Sequence, residues 1–126
     1  MSASPPNPLA LIIEDDPQLS EIFSLALQSD FEVQAITDGS VAQAVLAEAV
    51  PALVVLDLHL PGVKGQEILE QIRSDPRLSA TRVLLATADE RRAETLRDQA
   101  DIVLLKPVSP SQLRGLARRF RPGGSA

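Results

Sequence analysis

Apolar residues in this chain follow two alternating rhythms. Five short runs are densely hydrophobic: Leu9–Ile13, Glu32–Ile36, Leu53–Asp57, Arg82–Thr87 and Ile102–Leu105. Leu53 to Leu56 has no polar interruption, as expected of a strand buried on both faces. Glu32 to Ile36 starts by alternating polar and apolar residues, which predicts a strand at an edge. Between the runs, apolar residues recur at helical spacing. Leu19, Ile22, Phe23, Ala26 and Leu27 mark a helix over 17–28, with Asp16 as N-cap and Pro17 in its first turn. Asp38-Gly39 is a turn. A helix over 40–49 would place Val41, Ala44, Val45 and Ala49 inward, and one over 65–74 has Ile68, Leu69 and Ile72 on one face. Helices over 90–99 and 110–119 complete the series. A strand followed by a helix, five times, predicts an α/β fold: a doubly wound (βα)5 domain with a five-stranded parallel sheet. Residues 1–8 and 121–126 read as tails, leaving one domain over 9–120.

The 126 residues are 44% hydrophobic, enough for one core. The apolar runs fall far short of the roughly 20 residues that span a bilayer, so membrane insertion is not expected. The first residues lack a basic start and a long apolar segment, unlike a secretory signal, and a cytoplasmic location is expected. There are no cysteines, which excludes disulfides, thiolate metal sites and a thiol nucleophile. A net charge of −5 with only 2% aromatic residues argues against direct nucleic-acid binding.

Charged and hydroxyl residues sit where the apolar runs end. Glu14-Asp15-Asp16 follows the first run, Asp57 ends the central one, Thr87 ends the fourth and Lys106 follows the fifth. Open α/β sheets bind ligands at the carboxyl ends of their strands. An aspartate there can accept a phosphoryl group as an acyl phosphate. Phosphoryl transfer asks the protein mainly for positioning and charge neutralisation. Mg²⁺ takes oxygen ligands and keeps several waters, and Glu14, Asp15 and Asp57 could supply it. The acid pair is either Glu14/Asp15 or Asp15/Asp16. The first is favoured because Asp16, before Pro17, is the natural helix cap. His59 is the lone histidine, a type more often found at the surface than on a metal. Arg114, Arg118, Arg119 and Arg121 read as a solvated face near a helix C-terminus, with partner binding as the alternative.

Five motifs in order, Leu-Ile-Ile-Glu-Asp-Asp-Pro at 11–17, Asp38-Gly39, Asp-Leu-His-Leu-Pro-Gly at 57–62 with Gly65, Thr87-Ala88 and Lys106-Pro107, resemble a bacterial response-regulator receiver domain. The resemblance spans residues 8 to 120. It implies a flavodoxin-like receiver fold and a two-component or phosphorelay role. A sensor histidine kinase or phosphotransfer protein would then deliver a phosphoryl group to Asp57 with Mg²⁺, and an unknown downstream protein would read the result. By the same resemblance, Asp15 binds the metal directly, Glu14 acts through water, and the His59 backbone carbonyl is a further ligand. The Thr87 hydroxyl donates to the phosphoryl group, Lys106 pairs with it, and the Lys106–Pro107 peptide is cis. Such a domain is a signalling switch, not a turnover enzyme. A receiver-like interaction module never phosphorylated in use is the alternative. An α/β phosphohydrolase is a third reading, disfavoured because no Asp-x-Asp motif or Gly-Lys-Ser/Thr phosphate loop occurs.

The chain departs from the receiver pattern at several positions. Val103 stands where receivers carry Tyr or Phe, Lys64 where an acidic residue is common, and Val108 where Phe is common. The span from Thr87 to Lys106 is short, so a short or displaced fourth helix is expected.

Overall fold

A computed structural model describes residues 7–122. The outer parts of the two expected tails, 1–6 and 123–126, lie outside the described residues. Five strands, β1 (Leu9–Ile13), β2 (Glu32–Ile36), β3 (Leu53–Leu56), β4 (Arg82–Thr87) and β5 (Ile102–Leu105), form one sheet in the order β2-β1-β3-β4-β5. All four pairings are parallel. Five α-helices connect and cover them: α1 (Pro17–Leu27), α2 (Gly39–Leu46), α3 (Gly65–Ser74), α4 (Glu90–Leu96) and α5 (Pro110–Arg118). The expected central strand and edge strand are β3 and β2.

Alternation along each strand splits the core in two. Leu11, Ile13, Val54, Leu56, Val83 and Leu85 face one side, where Leu46, Ile68, Leu69, Ile72 and Leu96 of α2, α3 and α4 pack. Ala10, Ile12, Leu53, Val55, Leu84 and Ala86 face the other, against Phe23, Ala26 and Leu27 of α1 and Leu113 and Ala117 of α5. Burial on both faces explains why β1, β3 and β4 read as unbroken apolar runs.

The helices differ from expectation mainly at their ends. Asp16 caps α1 as expected, its Oδ1 accepting from the Gln18 and Leu19 backbone N–H groups at 2.9 and 3.4 Å. In α2 the inward face is not the expected one. Ala42 and Leu46 are buried, Val45 and Ala49 only partly, while Val41 is 52% exposed and Ala44 is exposed. The Asp38 side chain caps the Ser40 and Val41 N–H groups, so the helix begins at Gly39. Ala42 and Leu46, four residues apart, share the face that packs on the sheet. Helix α4 stops at Leu96, short as anticipated, before a tight turn in which the Gln99 N–H donates to the Leu96 carbonyl at 2.9 Å. A 3₁₀ turn at Pro76–Leu78, not expected from the sequence, is capped by Asp75. Three arginines near the C-terminus are engaged within the domain. Arg114 Nε donates to the Ala26 carbonyl at 3.1 Å and Arg118 Nε to Asp30 Oδ2 at 2.8 Å, while Arg121 reaches Asn7. Arg114 and Arg118 tie α5 to the end of α1 and the turn after it.

Candidate functional site

The sheet ladder continues one step beyond the strands, and that step places the site. The Glu14 N–H donates to the Ile36 carbonyl at 3.0 Å, the Asp57 N–H to Ile13 at 2.9 Å and the Lys106 N–H to Thr87 at 2.9 Å. Each charged side chain therefore inherits the register of the strand before it. The order β2-β1-β3 reverses direction between β1 and β3, the point where doubly wound sheets open a crevice. Glu14 and Asp15 leave β1 on one lip of it and Asp57 leaves β3 on the other. Below Asp57, Gly65 allows a close approach: a Cβ there would overlap the Asp57 carbonyl oxygen. Gly62, with φ of 77°, makes the turn that brings the chain back to α3.

Glu14, Asp15 and Asp57 converge, each offering a carboxylate oxygen within 4.8 Å of the others. Glu14 and Asp57 are buried, and Asp15 is exposed. Lys106 Nζ lies 2.7 Å from Glu14 Oε1 and 3.5 Å from Asp57 Oδ2. One ammonium thus serves two buried carboxylates. The peptide that follows it, Lys106–Pro107, is cis. Asp57 Oδ1 accepts from the His59 backbone N–H at 3.2 Å, and Glu14 Oε2 from the Asp16 N–H at 3.2 Å. Burial pushes the Glu14 carboxyl up to about 7; bonds from Lys106 and the Asp16 N–H oppose the rise, and the Asp57 charge adds to it. Burial disfavours the Lys106 ammonium, but the bond to Glu14 and the Asp57 charge outweigh it and hold its pKa above the usual lysine value. Lys106 is therefore a fixed cation at neutral pH.

Thr87 is fully buried at the end of β4, and its Oγ accepts from the Asp89 N–H at 3.0 Å. The hydroxyl proton is not used in that bond and remains free to be donated. The His59 ring does not join the carboxylates. It is 66% exposed and turns toward Asp89, with Nε2 3.7 Å from Asp89 Oδ2. Asp16 stays with its capping role, which favours Glu14/Asp15 as the acid pair.

A model of the response regulator receiver domain matches residues 10–118. The chain belongs to the response regulator receiver family. Its role is accordingly that of a phospho-accepting receiver in two-component signalling. The receiver is 34% identical over 107 residues to the DNA-binding response regulator MtrA of Mycolicibacterium smegmatis, covering 82% of this chain and 46% of that protein. The chain spans about half the length of the curated relatives it matches. Among solved structures it resembles the BeF3-activated DrrB receiver domain, with a TM-score of 0.80 and 26% identity over 90% of this chain and 97% of that one. It also shares the fold of the receiver domain of sensor histidine kinase PA1611 from Pseudomonas aeruginosa PAO1. That match has a TM-score of 0.80 and 21% identity, covers 90% of this chain and 97% of that one, and its structure holds a magnesium ion in the active-site cleft.

Receivers bind Mg²⁺ at an acidic site, and the residues here fit one. The three converging carboxylates provide hard oxygen donors. Glu14 and Asp57 are buried and share a single ammonium, that of Lys106, so the cluster carries more negative charge than this one cation neutralises and suits a further cation. Val103, in the position of the usual aromatic, is half-buried and packs on the α2–α3–α4 side of the core. Two residues near the site escaped the sequence reading. Arg92 Nη1 donates to Gln66 Oε1 across 26 residues of chain, a contact that no local pattern signals.

Proposed function

We propose that Asp57 is the phospho-acceptor, that Glu14 and Asp15 hold Mg²⁺ with it, and that a sensor histidine kinase or phosphotransfer protein is the donor. The observation that carries this reading is the meeting of Asp57, Glu14, Asp15 and Lys106 around one buried carboxylate. An Asp57 oxygen attacks phosphorus, and the bond from phosphorus to the donor's imidazole nitrogen breaks. Lys106 moves its charge from the carboxylates to the phosphoryl oxygens, acting as a compact point charge. Thr87 supplies its free hydroxyl proton to another phosphoryl oxygen, a charge-assisted bond. Mg²⁺, when bound, neutralises charge on the phosphoryl oxygens. The His59 backbone carbonyl would complete the ligand set by resemblance to the family, with the ring playing no part in ligation. The domain acts as a cytoplasmic signalling switch whose state a downstream protein reads, and it turns over no external metabolite.

Intact mass after treatment with acetyl phosphate and Mg²⁺ tests this. One phosphoryl group should be added, be released by hydroxylamine, require Mg²⁺, and be absent in Asp57→Asn. Undiminished labelling of that variant refutes the assignment. Absence of any labelling would favour the unphosphorylated interaction module.

A further inference from the structure

The loop that leaves Asp57, from Leu58 to Lys64, is seated by the start of α2. The Gly39 N–H donates to the Pro61 carbonyl at 2.9 Å. Among the described residues this is the one backbone hydrogen bond that joins the loop to an element other than β3 or α3. A Cβ on Gly39 would overlap the Val63 carbonyl oxygen, so only glycine admits this approach. From the loop side, a Cβ on Gly62 would meet Ser40 Oγ at 2.6 Å and Asp38 Oδ1 at 3.0 Å. The Ser40 N–H donates to that same Asp38 oxygen at 2.7 Å, which fixes the first turn of α2. Two glycines, one on each side, thus let the α2 turn and the loop meet closely. The inner end of the loop touches the acceptor: the His59 N–H donates to Asp57 Oδ1 at 3.2 Å. The Gly65 N–H closes the other end onto the Leu58 carbonyl at 3.1 Å. Pro61, which α2 holds, lies two residues from His59. Main-chain contacts therefore run from Gly39 through Pro61 and His59 to one oxygen of Asp57.

We infer that Gly39 is a positioning residue for the metal site: it seats the loop, the loop orients the Asp57 carboxylate, and Mg²⁺ affinity depends on both. The inference rests on Glu14, Asp15 and Asp57 holding Mg²⁺. Gly39 offers no ligand itself and acts only through Asp57. Groups that orient a ligand are worth a large part of a site's affinity. Mg²⁺ is a demanding case, because its octahedron tolerates little misplacement of an oxygen. The bond from His59 holds one Asp57 oxygen before any metal arrives, and the α2 turn holds the segment that carries His59. The coupling is reciprocal: if the docked turn favours Mg²⁺, then Mg²⁺ favours the docked turn by the same factor. Metal loading is therefore felt in α2, which packs beside the β2 edge of the sheet, as well as at the phosphorylation site.

Calorimetric titration with Mg²⁺, at fixed pH and ionic strength, compares the unmodified protein with Gly39→Ala. The variant should bind Mg²⁺ about ten-fold more weakly, the scale on which orienting groups act. Leu116→Ala is the control for stability alone. Leu116 is partly buried on α5, on the other side of the sheet, and its loss should lower the denaturation midpoint while leaving Mg²⁺ affinity at the parental value. Amide hydrogen exchange tests the same link in the unmodified protein, and decides the matter if Gly39→Ala does not fold. Saturating Mg²⁺ should slow exchange of the Gly39 N–H about ten-fold more than that of the Glu32 N–H, which bonds the Pro8 carbonyl at the far end of β2. A folded Gly39→Ala protein with parental Mg²⁺ affinity overturns the inference, as does an equal response at the two amides. If the unmodified protein binds no Mg²⁺, the metal site itself fails. Mg²⁺ binding that is indifferent to Gly39 defeats the positioning role alone.

Discussion

Glu14→Gln should make the metal-free protein more stable at pH 8 and change little at pH 5. Glu14 is 2% exposed, and its carboxyl is pushed from 4.5 up to about 7, with burial as the leading cause. An acid whose pKa is raised by folding binds more protons folded than unfolded, so stability falls as pH rises between the two values. Complete passage from below 4.5 to above 7 corresponds to about 3 kcal/mol. Gln resembles the protonated acid in shape and keeps an oxygen for the Asp16 N–H. It therefore avoids that loss, and the ion pair with Lys106 that it gives up is already counted in the net shift. A gain of about 1–3 kcal/mol at pH 8 follows, shrinking toward zero near pH 5. Urea titrations in EDTA at both pH values measure it. Adding Mg²⁺ should stabilise the unmodified protein more than the variant, because the carboxylate cluster is then compensated. A Glu14→Gln protein no more stable than its parent at pH 8, or one whose advantage persists undiminished at pH 5, would refute the reasoning.

Further outcomes follow from other parts of the structure. Asp101 joins Arg73, Arg82 and the Val83 N–H; burial opposes its charge, but these bonds together hold its carboxyl below the usual range. The stability it contributes is present above the ordinary aspartate pKa and lost as pH falls through the lowered one. Asp101→Asn should thus cost about 2 kcal/mol at pH 7 and progressively less in acid, as read from denaturation midpoints; a penalty that does not shrink in acid would count against it. With beryllofluoride, amide shifts should change most over Thr87 to Glu90 and little at Val103, which has no ring to reorient; the reverse pattern would show a different relay. His59→Ala should shorten the lifetime of phosphorylated Asp57 if the His59–Asp89 pair, 3.7 Å apart, obstructs incoming water; equal or slower decay at the same pH and Mg²⁺ would show that His59 does not guard the site.

Strands β1, β3 and β4 were legible because burial on both faces leaves their interiors apolar, and a residue singled out for its chemistry ends or follows β1, β3, β4 and β5. Asp57, Glu14 and Lys106 were legible for the same reason: a charge at the end of a fully apolar run is placed by the run. Helix faces were harder to read. Val41 and Ala44 fit a helical spacing as well as Ala42 and Leu46 do, and which pair meets the sheet is set by packing against it, which spacing does not record. Small aliphatic residues carry little orientation signal when every turn of the helix has one. Contacts between distant side chains were not legible at all. The Arg92–Gln66 bond and the Arg73–Asp101 pair join residues 26 and 28 apart, and each depends on how α3 is seated against β4, β5 and α4. The rotation of the His59 ring toward Asp89 is of the same kind.

The sheet that divides the apolar interior also divides how substitutions should combine. Residues on the α1–α5 side and the α2–α3–α4 side share a backbone but few side-chain neighbours. Changes on opposite sides should therefore combine with little epistasis, while changes on one side constrain each other. Two lineages could rewrite different halves and still exchange them by recombination at a strand. The exceptions are the residues just past the strand ends, where both halves contribute to one set of charges. There a substitution is answerable to the whole domain, and drift should be slowest.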